Sequence, residues 1–388
     1  MNIPDDIHIL KERAQQILDP ISCAVKKGTK ADRGFLFNAV RTDAGKELPH
    51  YYLIYFLFID LLNFKNLGQF EKVAWSIPID YNGTAYLLEH RKLGMGLFTV
   101  NKANQEKECQ EIVRKIQNAV KIAKPYFDWI ASEAAKKSDL NVLNLSLRLY
   151  SRYLFLLEEY EKKTRENALH ESATKQICGV ENYLNIYSES QKLKKETEWL
   201  ALSVIDAFYS FTEHVFIHAA IIKGSLLTGE DVGQLAQDDW ATKFKACLDV
   251  QGKLVRPHYD KLTLIKKQIR NYMAHGAFGK KGEAFQIHSK VGAVPLLMTN
   301  QNGSSRFSIQ PNTEFVEKEA IKAIDSFIQF YWESDKFLEV IYIKSSLPSI
   351  LTFANDCTYK NAMKSFEDME SLIEHLNILS DNSANMDW

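Results

Sequence analysis

The spacing of apolar side chains separates a mixed N-terminal part from a mainly helical remainder. Apolar residues recur with a helical period over residues 6–25 and lie nearly all round the segment 49–64. Between residues 72 and 100 the pattern changes to strand type, with the dipeptide Asn82-Gly83 between two runs. Asn-Gly favours the tight turn of a hairpin, so antiparallel strands are expected there. Helical spacing then returns, and residues 1–138 are predicted to form an α+β domain.

The rest of the chain reads as helices separated by polar segments. Residues 139–194 are predicted to be one helix and a connector, because the stretch 162–197 contains few large apolar residues. Residues 195–345 are predicted to form an antiparallel helical bundle with a hairpin-like insert at about 283–310. Its helices are expected at 198–223, 239–250, 257–275 and 314–343. Residues 346–388 are predicted to hold a further helix and a disordered tail. The fold class is therefore mainly α.

Composition narrows the class of protein without naming a function. The 388 residues are 46% hydrophobic and 25% charged with a net charge of -1, so only a local patch can attract nucleic acid. The five cysteines are scattered and form no CxxC pair, which indicates reduced thiols and a cytoplasmic location. The apolar run at 51–59 is too short to cross a bilayer, and no leader opens the chain, so no membrane contact is expected.

One predicted helix, residues 261–276, has an apolar stripe on one side and polar and basic side chains on the other. At about 100° per residue, the apolar positions cluster on one side. That stripe comprises Leu262, Ile265, Ile269, Tyr272 and Met273. The other side comprises Lys267, Arg270, Asn271, Ala274 and His275. The small side chain of Ala274 permits close approach of another surface.

The residue types on that second side suit a phosphate ligand. Asn271 and His275 are four residues apart, so the amide can orient the imidazole or bind a ribose. His275 ends the helix before Gly276, where the helix dipole favours a protonated ring. Four lysines, Lys266, Lys267, Lys280 and Lys281, extend the basic surface as candidate RNA contacts, and residues 261–282 contain no carboxylate. On spacing alone, a simply solvated lysine face is the plainer interpretation.

A resemblance changes that interpretation. The string Arg-Asn-Tyr-Met-Ala-His-Gly at 270–276 resembles the signature of the HEPN superfamily (higher eukaryotes and prokaryotes nucleotide-binding domain). Its ribonuclease members carry an arginine and, a few residues later, a histidine, often with a polar residue directly after the arginine. The helix order over about 195–345 is also similar to that domain, except for the insert before the last helix. The resemblance implies catalytic roles for Arg270, Asn271 and His275 in a cleft shared by two protomers.

Two other polar groups on the helix 198–223 offer competing interpretations. Its stripe Ser203, Asp206, Ser210 and Glu213 is explained most simply as a solvent face. If it lines a cleft instead, Glu213 or Asp206 is expected to hold Arg270 by a charge-assisted bond. His214 and His218 have a spacing that can chelate a metal, but no third ligand is evident, so no metal and no cofactor are expected.

The sequence thus supports two hypotheses of different class. The first is a metal-independent endoribonuclease that cleaves RNA by attack of the 2′-OH, in a toxin or anti-phage role implied by the resemblance. The second is a scaffold or regulator that binds RNA or a nucleotide in the same basic cleft without cleaving it. RNA, a second copy of the chain, and a protein regulator or antitoxin are the expected partners. Co-occurrence of Arg270, Asn271 and His275 favours the enzyme, because a binding module needs no histidine there.

Overall fold

The chain divides into two compact units, which are described separately. In the computed structural model, residues 7–24, 34–174, 180–275, 286–290, 292–295, 297–298, 307–308 and 317–386 are described, with side chains for all of these except 36, 173–186, 268–286 and 295–308. The first unit comprises Met1–Lys137 with Glu374–Trp388, and the second comprises Ser138–Ile373. The predicted segments 139–194 and 346–373 therefore belong to the same unit as residues 195–345.

The first unit combines helices with one antiparallel sheet. Its helices are α1 (Ile7–Leu18), α2 (Phe35–Asn38), α3 (Tyr51–Tyr55), α4 (Lys102–Ile122) and α5 (Lys124–Lys137). A π-helical turn, Phe56–Leu61, continues α3, and a 3-10 turn lies at Ala44–Glu47. Its strands are β1 (Ser22–Cys23), β2 (Val40–Arg41), β3 (Val73–Tyr81), β4 (Thr84–Arg91) and β5 (Gly94–Thr99). The sheet order is β1-β3-β4-β5-β2.

The Asn82-Gly83 turn joins β3 to β4 as the sequence predicts. Both residues have positive φ, 52° and 83°, which matches the twist of the flanking strands. A proline in a strand, here Pro78, favours a position at an edge of the sheet. The strand is second in order instead, because the short β1 pairs with Ile79 and Asp80 on that side.

Gly96 has a specific steric role in β5. A Cβ atom there would lie 2.9 Å from Nε of Arg41 and 2.8 Å from the ring of Phe98. The absent side chain leaves room for the Arg41 guanidinium, which donates to the carbonyl oxygens of Leu93, at 3.3 Å, and of Met95. The Gly94-Met95-Gly96 sequence therefore belongs to a strand and serves its packing.

The C-terminal tail is helical, which corrects the expectation of disorder. The last helix, α15, spans Phe366–Asn385. Near its end, Lys92 donates to Oδ1 of Asn385 at 2.9 Å and Lys72 donates to the Asn385 carbonyl oxygen at 3.2 Å. The tail is polar because its faces are exposed. Helical backbone hydrogen bonds and the contacts of Lys72 and Lys92 with Asn385 hold it in place.

The second unit is helical apart from short two-stranded ladders. Its helices are α6 (Ser146–Thr174), α7 (Val180–Ile222), α8 (Gly229–Gln237), α9 (Trp240–Cys247), α10 (Arg256–His275), α11 (Glu317–Phe327), α12 (Leu338–Lys344), α13 (Leu351–Asn355) and α14 (Thr358–Ala362). Its strands are β6 (Asn141–Val142), β7 (Gln286–Ser289), β8 (Gly292–Pro295), β9 (Leu297–Met298), β10 (Phe307–Ser308) and β11 (Ser349–Ile350). The pairs are β6 with β11, β7 with β8, and β9 with β10, all antiparallel. The protein as a whole is mainly helical, as predicted.

The predicted connector is two long antiparallel helices. Residues 162–197 lie in α6 and α7 except for 175–179, which fall outside the description. The side chains of Lys163 and Glu196 join the two helices at 3.2 Å, and His170 lies 3.4 Å from Glu189. The segment contains few large apolar residues, and much of its described surface meets solvent. Its Lys, Glu, Gln and Ala content still favours helix.

α7 is the central helix of the second unit. It packs against α6, α9, α11 and α12, and buried aromatic side chains fill the space between them. The predicted closing helix 314–343 is interrupted: α11 passes into a π-helical turn at Ile328–Trp332 before α12 begins.

Among the described residues, α7 is the one helix long and apolar enough, over Tyr187–Ile222, to span a membrane, and 56% of its most apolar window is buried. A core helix passes the same test, and we treat α7 as one.

A buried histidine pair fixes the start of the second unit to α7. The amide of Leu145 donates to Nε2 of His214 at 2.9 Å, so that nitrogen carries no proton. His218 Nε2 lies 3.0 Å from the same atom and therefore donates to it, leaving its Nδ1 to accept from Ser349 Oγ at 2.7 Å. Both rings are thus neutral. Burial, followed by the neighbouring ring of His214, lowers the pKa of His218 to about 3.

This low pKa predicts that acid destabilises the second unit. An unfolded histidine takes up its proton near pH 6.5, but folded His218 does so only near pH 3. The free energy of unfolding should therefore fall as the pH drops below about 6.5, by about 2 kcal/mol at pH 5 from this group alone. His218→Gln should reduce that pH dependence, measured by urea unfolding at pH 7 and pH 5. His8→Gln, at a side chain 80% exposed, is the control and should leave the dependence unchanged. An equal loss in His218→Gln and the parent would contradict this account.

Candidate functional site

The helix α10 has the two-sided character that its sequence predicts, as far as its side chains are described. Leu262 is 0% exposed and Ile265 is 5% exposed, which confirms the start of the core stripe. Lys261, Leu264 and Lys267 are exposed on the opposite side. The remaining stripe residues, Ile269, Tyr272 and Met273, lie outside the described side chains.

The three residues predicted to be catalytic fall in the last two turns of this same helix. α10 ends at His275, so Arg270, Asn271 and His275 share one continuous backbone helix. Their side chains, and that of Ala274, lie outside the description. So do the predicted cap Gly276 and the predicted RNA contacts Lys280 and Lys281. The described part of the site is therefore the part of α10 that precedes Arg270.

Lys266, one of the predicted RNA contacts, is held against α7. Its Nζ lies 4.4 Å from the ring centroid of Tyr209 and 3.5 Å from Oε1 of Glu213. The hydroxyl of Tyr209 donates to the carbonyl oxygen of Leu262 at 2.7 Å, one turn earlier on α10. Tyr209 and Glu213 are themselves one turn apart on α7. Two successive turns of α7 therefore hold two successive turns of α10.

The carboxylate of Glu213 has a second and closer partner. Lys243 of α9 donates from Nζ to Oε2 of Glu213 at 2.8 Å, and Lys243 is only 4% exposed. A buried ammonium needs a counter-charge, and Glu213 supplies it. The expected bond from Glu213 to Arg270 falls on a side chain that is not described. The described partners of this carboxylate are both lysines.

Asp206, the other acid considered as a support, is exposed, as are Ser203 and Ser210. This agrees with the interpretation of that stripe as a solvent face. Only Glu213 at its end turns toward α9 and α10. The structure therefore places Glu213, and not Asp206, beside Lys266.

Lys243 is the residue at this site that sequence reasoning missed. A signal was present, because Trp240, Lys243, Phe244 and Cys247 share one face of α9, and all four are buried. A lysine on an otherwise apolar helical face requires a carboxylate nearby.

The cluster carries one more positive than negative charge. Lys243 and Lys266 share Glu213, and the closer, more buried Lys243 takes the stronger interaction. Lys266 is half-buried and keeps a charge that Glu213 only partly balances. Among the described residues, no three His, Cys, Asp or Glu side chains group to hold a metal ion. The Nε2 atoms of His214 and His218 contact each other in the buried pair.

Comparisons of the chain with protein-family models, with curated proteins and with solved structures found no match. The resemblance of residues 270–276 to a ribonuclease signature thus stands on the motif and on the order of the helices around it. The geometry adds a cluster of net positive charge in which Lys266 of the same helix takes part.

The interactions of Glu213 with Lys243 and Lys266 predict that loss of the Glu213 charge alone costs more stability than its loss together with the charge of Lys243. Glu213→Gln should lower the free energy of unfolding by about 3 kcal/mol, because Lys243 is left buried without its counter-charge. Adding Lys243→Met should recover most of that loss, since methionine suits the face shared with Trp240 and Phe244. Urea unfolding at neutral pH measures both changes.

An exposed ion pair provides the matched control. Glu319 and Lys322 lie 3.0 Å apart with side chains more than half exposed, so Glu319→Gln should cost less than about 1 kcal/mol. If Glu213→Gln is as mild as this control, or if Lys243→Met recovers nothing, the cluster does not carry the stability assigned to it.

Proposed function

We propose that this protein is a metal-independent endoribonuclease of HEPN type, with Arg270 and His275 as its catalytic pair and Asn271 in support. The observation that carries the proposal is the placement of all three positions in the last two turns of one helix. That helix buries its apolar side at Leu262 and Ile265, and the sequence from residue 261 to residue 282 is basic and contains no carboxylate.

The arrangement of neighbouring helices also supports the proposal. α10 packs against α9 and α11, and Tyr209 and Glu213 bind it to the central α7. A HEPN-like bundle is proposed for this part of the second unit. The β7–β8 hairpin follows the motif in sequence, at the point where an insert can shape access to the cleft.

RNA supplies its own nucleophile, which suits the residues available. His275 would accept or donate the proton exchanged with the 2′-OH and the leaving 5′-oxygen. Arg270 would make a paired contact with the phosphate, because its guanidinium is planar and always charged. Asn271 would orient the imidazole or bind a ribose. The charge that develops on the phosphate is thereby stabilised without a metal ion.

The lysines of α10 would follow the RNA backbone on either side of the cleaved bond. Lys267 is exposed and free to do so, whereas Lys266 is drawn toward Glu213 at 3.5 Å. A phosphate near the helix would compete with Glu213 for Lys266, while Lys243 keeps that carboxylate neutralised. Lys280 and Lys281 are proposed to extend the same surface.

The wider setting is proposed from the resemblance alone. The protein would act in the cytoplasm as a toxin or an anti-phage effector under a protein regulator or antitoxin. The first unit would serve as its α+β sensor or partner-binding domain.

Cleavage of a labelled RNA tests the proposal directly. The products should carry a 2′,3′-cyclic phosphate and a 5′-hydroxyl, EDTA should not inhibit, and DNA should stay intact because it lacks the 2′-OH. His275→Ala should slow cleavage on the order of 100- to 10,000-fold. Arg270→Ala should be at least as damaging, and Arg270→Lys should rescue little, because an ammonium cannot make the paired contact.

The matched control is Arg256→Gln at the other end of α10, where the arginine is exposed and pairs with Asp260 at 2.8 Å. Its cleavage rate should equal that of the parent. RNA bound by the parent but not cut would favour the binding scaffold. Inhibition by EDTA would reject the metal-independent chemistry, and full activity in His275→Ala would reject the residues.

The shared cleft predicts that the motif helices of two protomers meet. A two-fold contact centred near Ala274 would bring two sets of Arg270 and His275 together. Ala274→Glu should therefore abolish cleavage and lower the mass measured by light scattering. A strict monomer with full nuclease activity at micromolar concentration would refute the contact.

A further inference from the structure

The N-terminal half of α6 carries apolar side chains that remain exposed among the described residues. One face of this helix buries Tyr153 and Tyr160 in the second unit. On other faces, Phe155 is 62% exposed, Leu154 is 43% exposed and Leu147 is 40% exposed. Large apolar side chains exposed on a surface helix are a feature of interaction sites.

Charged side chains border this surface in an ordered way. Arg148 and Arg152 precede Phe155, and Glu158 and Glu159 follow it. In the described part of the chain, no ion pair or hydrogen bond involves the side chain of any of these four residues. Like charges one helical turn apart repel, so the arginine pair costs stability in a lone chain.

Helical periodicity sets four of these residues in one line. At about 100° per residue, Arg148, Arg152, Phe155 and Glu159 fall within an arc of about 60°. Along α6 the line therefore reads positive, positive, aromatic, negative. Such a line is complementary to itself when reversed. A two-fold axis between Tyr153 and Leu154 opposes position 148 to 159 and position 152 to 155.

We propose that two copies of this chain associate through this face of α6, with the two helices antiparallel. Arg148 of each copy would pair with Glu159 of the other, and Arg152 would lie over the ring of Phe155 in a cation–π contact. Leu147 and Leu154 lie about 120° round the helix from this line and stay outside the contact. The same patch serves on both copies, as an isologous two-fold interface requires.

A contact confined to one helix is small, so association is expected in the micromolar range. The proposal does not depend on ribonuclease activity, and it uses a different helix from the contact proposed at Ala274. If both contacts form, the assembly is larger than a dimer. Breaking the α6 contact halves the mass of a dimer, and it also halves the mass of a closed tetramer built from both contacts.

Charge reversal tests the contact sharply. Mass is measured by light scattering and sedimentation at 1–100 µM, on the order of the expected dissociation constant. Arg148→Glu with Arg152→Glu should halve the mass of the parent assembly, and so should Glu158→Lys with Glu159→Lys. An equimolar mixture of the two double variants should return to the parent mass, because each now offers the opposite charges to the other.

Leu169→Asp is the control, since Leu169 is 72% exposed on α6 but lies beyond the overlap of the two helices. It should keep the parent mass. Circular dichroism and thermal unfolding of all variants should match the parent, because every changed side chain is at least partly exposed. A parent that stays monomeric at 100 µM, unchanged masses after charge reversal, or a mixture that does not reassociate would each overturn the proposal.

Discussion

The second unit depends on the burial of α7 from Ala201 to Ile222, where the helix is covered on all sides except its stripe of exposed polar residues. A helix that is apolar over most of its surface has to be covered by several neighbours at once, and α6, α9, α11 and α12 do this. Every polar group on its buried part must then find a partner. Thr212 accepts from the Trp240 indole at 2.9 Å, and His218 is satisfied by His214 and Ser349. These contacts fix which helix lies where around α7.

Glu213 is the point at which this packing meets the candidate site. It is a single carboxylate between two ammonium groups, one buried on α9 and one on α10. Its closer and stronger interaction is with Lys243, which has little access to water. Lys266 is therefore the cation that can change partners, and it lies one turn before Arg270. The core thus fixes the position of the motif helix and leaves positive charge at its surface.

Features set by periodicity and turn chemistry can be predicted from the sequence. Contacts between residues that are distant along the chain cannot. The β3–β4 turn follows from Asn82-Gly83, and the buried side of α10 follows from Leu262 and Ile265. The polar stretch 162–197 forms a helical pair and not the predicted connector, because scarcity of large apolar residues indicates exposure, which both kinds of segment share. The Lys243–Glu213 pair joins residues 30 positions apart, so no local pattern could reveal it beyond a lysine on an apolar face.

Electrostatics separates the two surfaces at which a second copy is proposed to bind. A two-fold contact places like patches against each other. The face of α6 carries both signs, so it can meet its own copy without any third component. The surface of α10 is basic, with Lys261 and Lys267 exposed, so a contact between two such surfaces includes a repulsion that an anion between them would reduce. RNA is a polyanion that would supply this charge, so binding of RNA and closure of the shared cleft would favour one another by linkage.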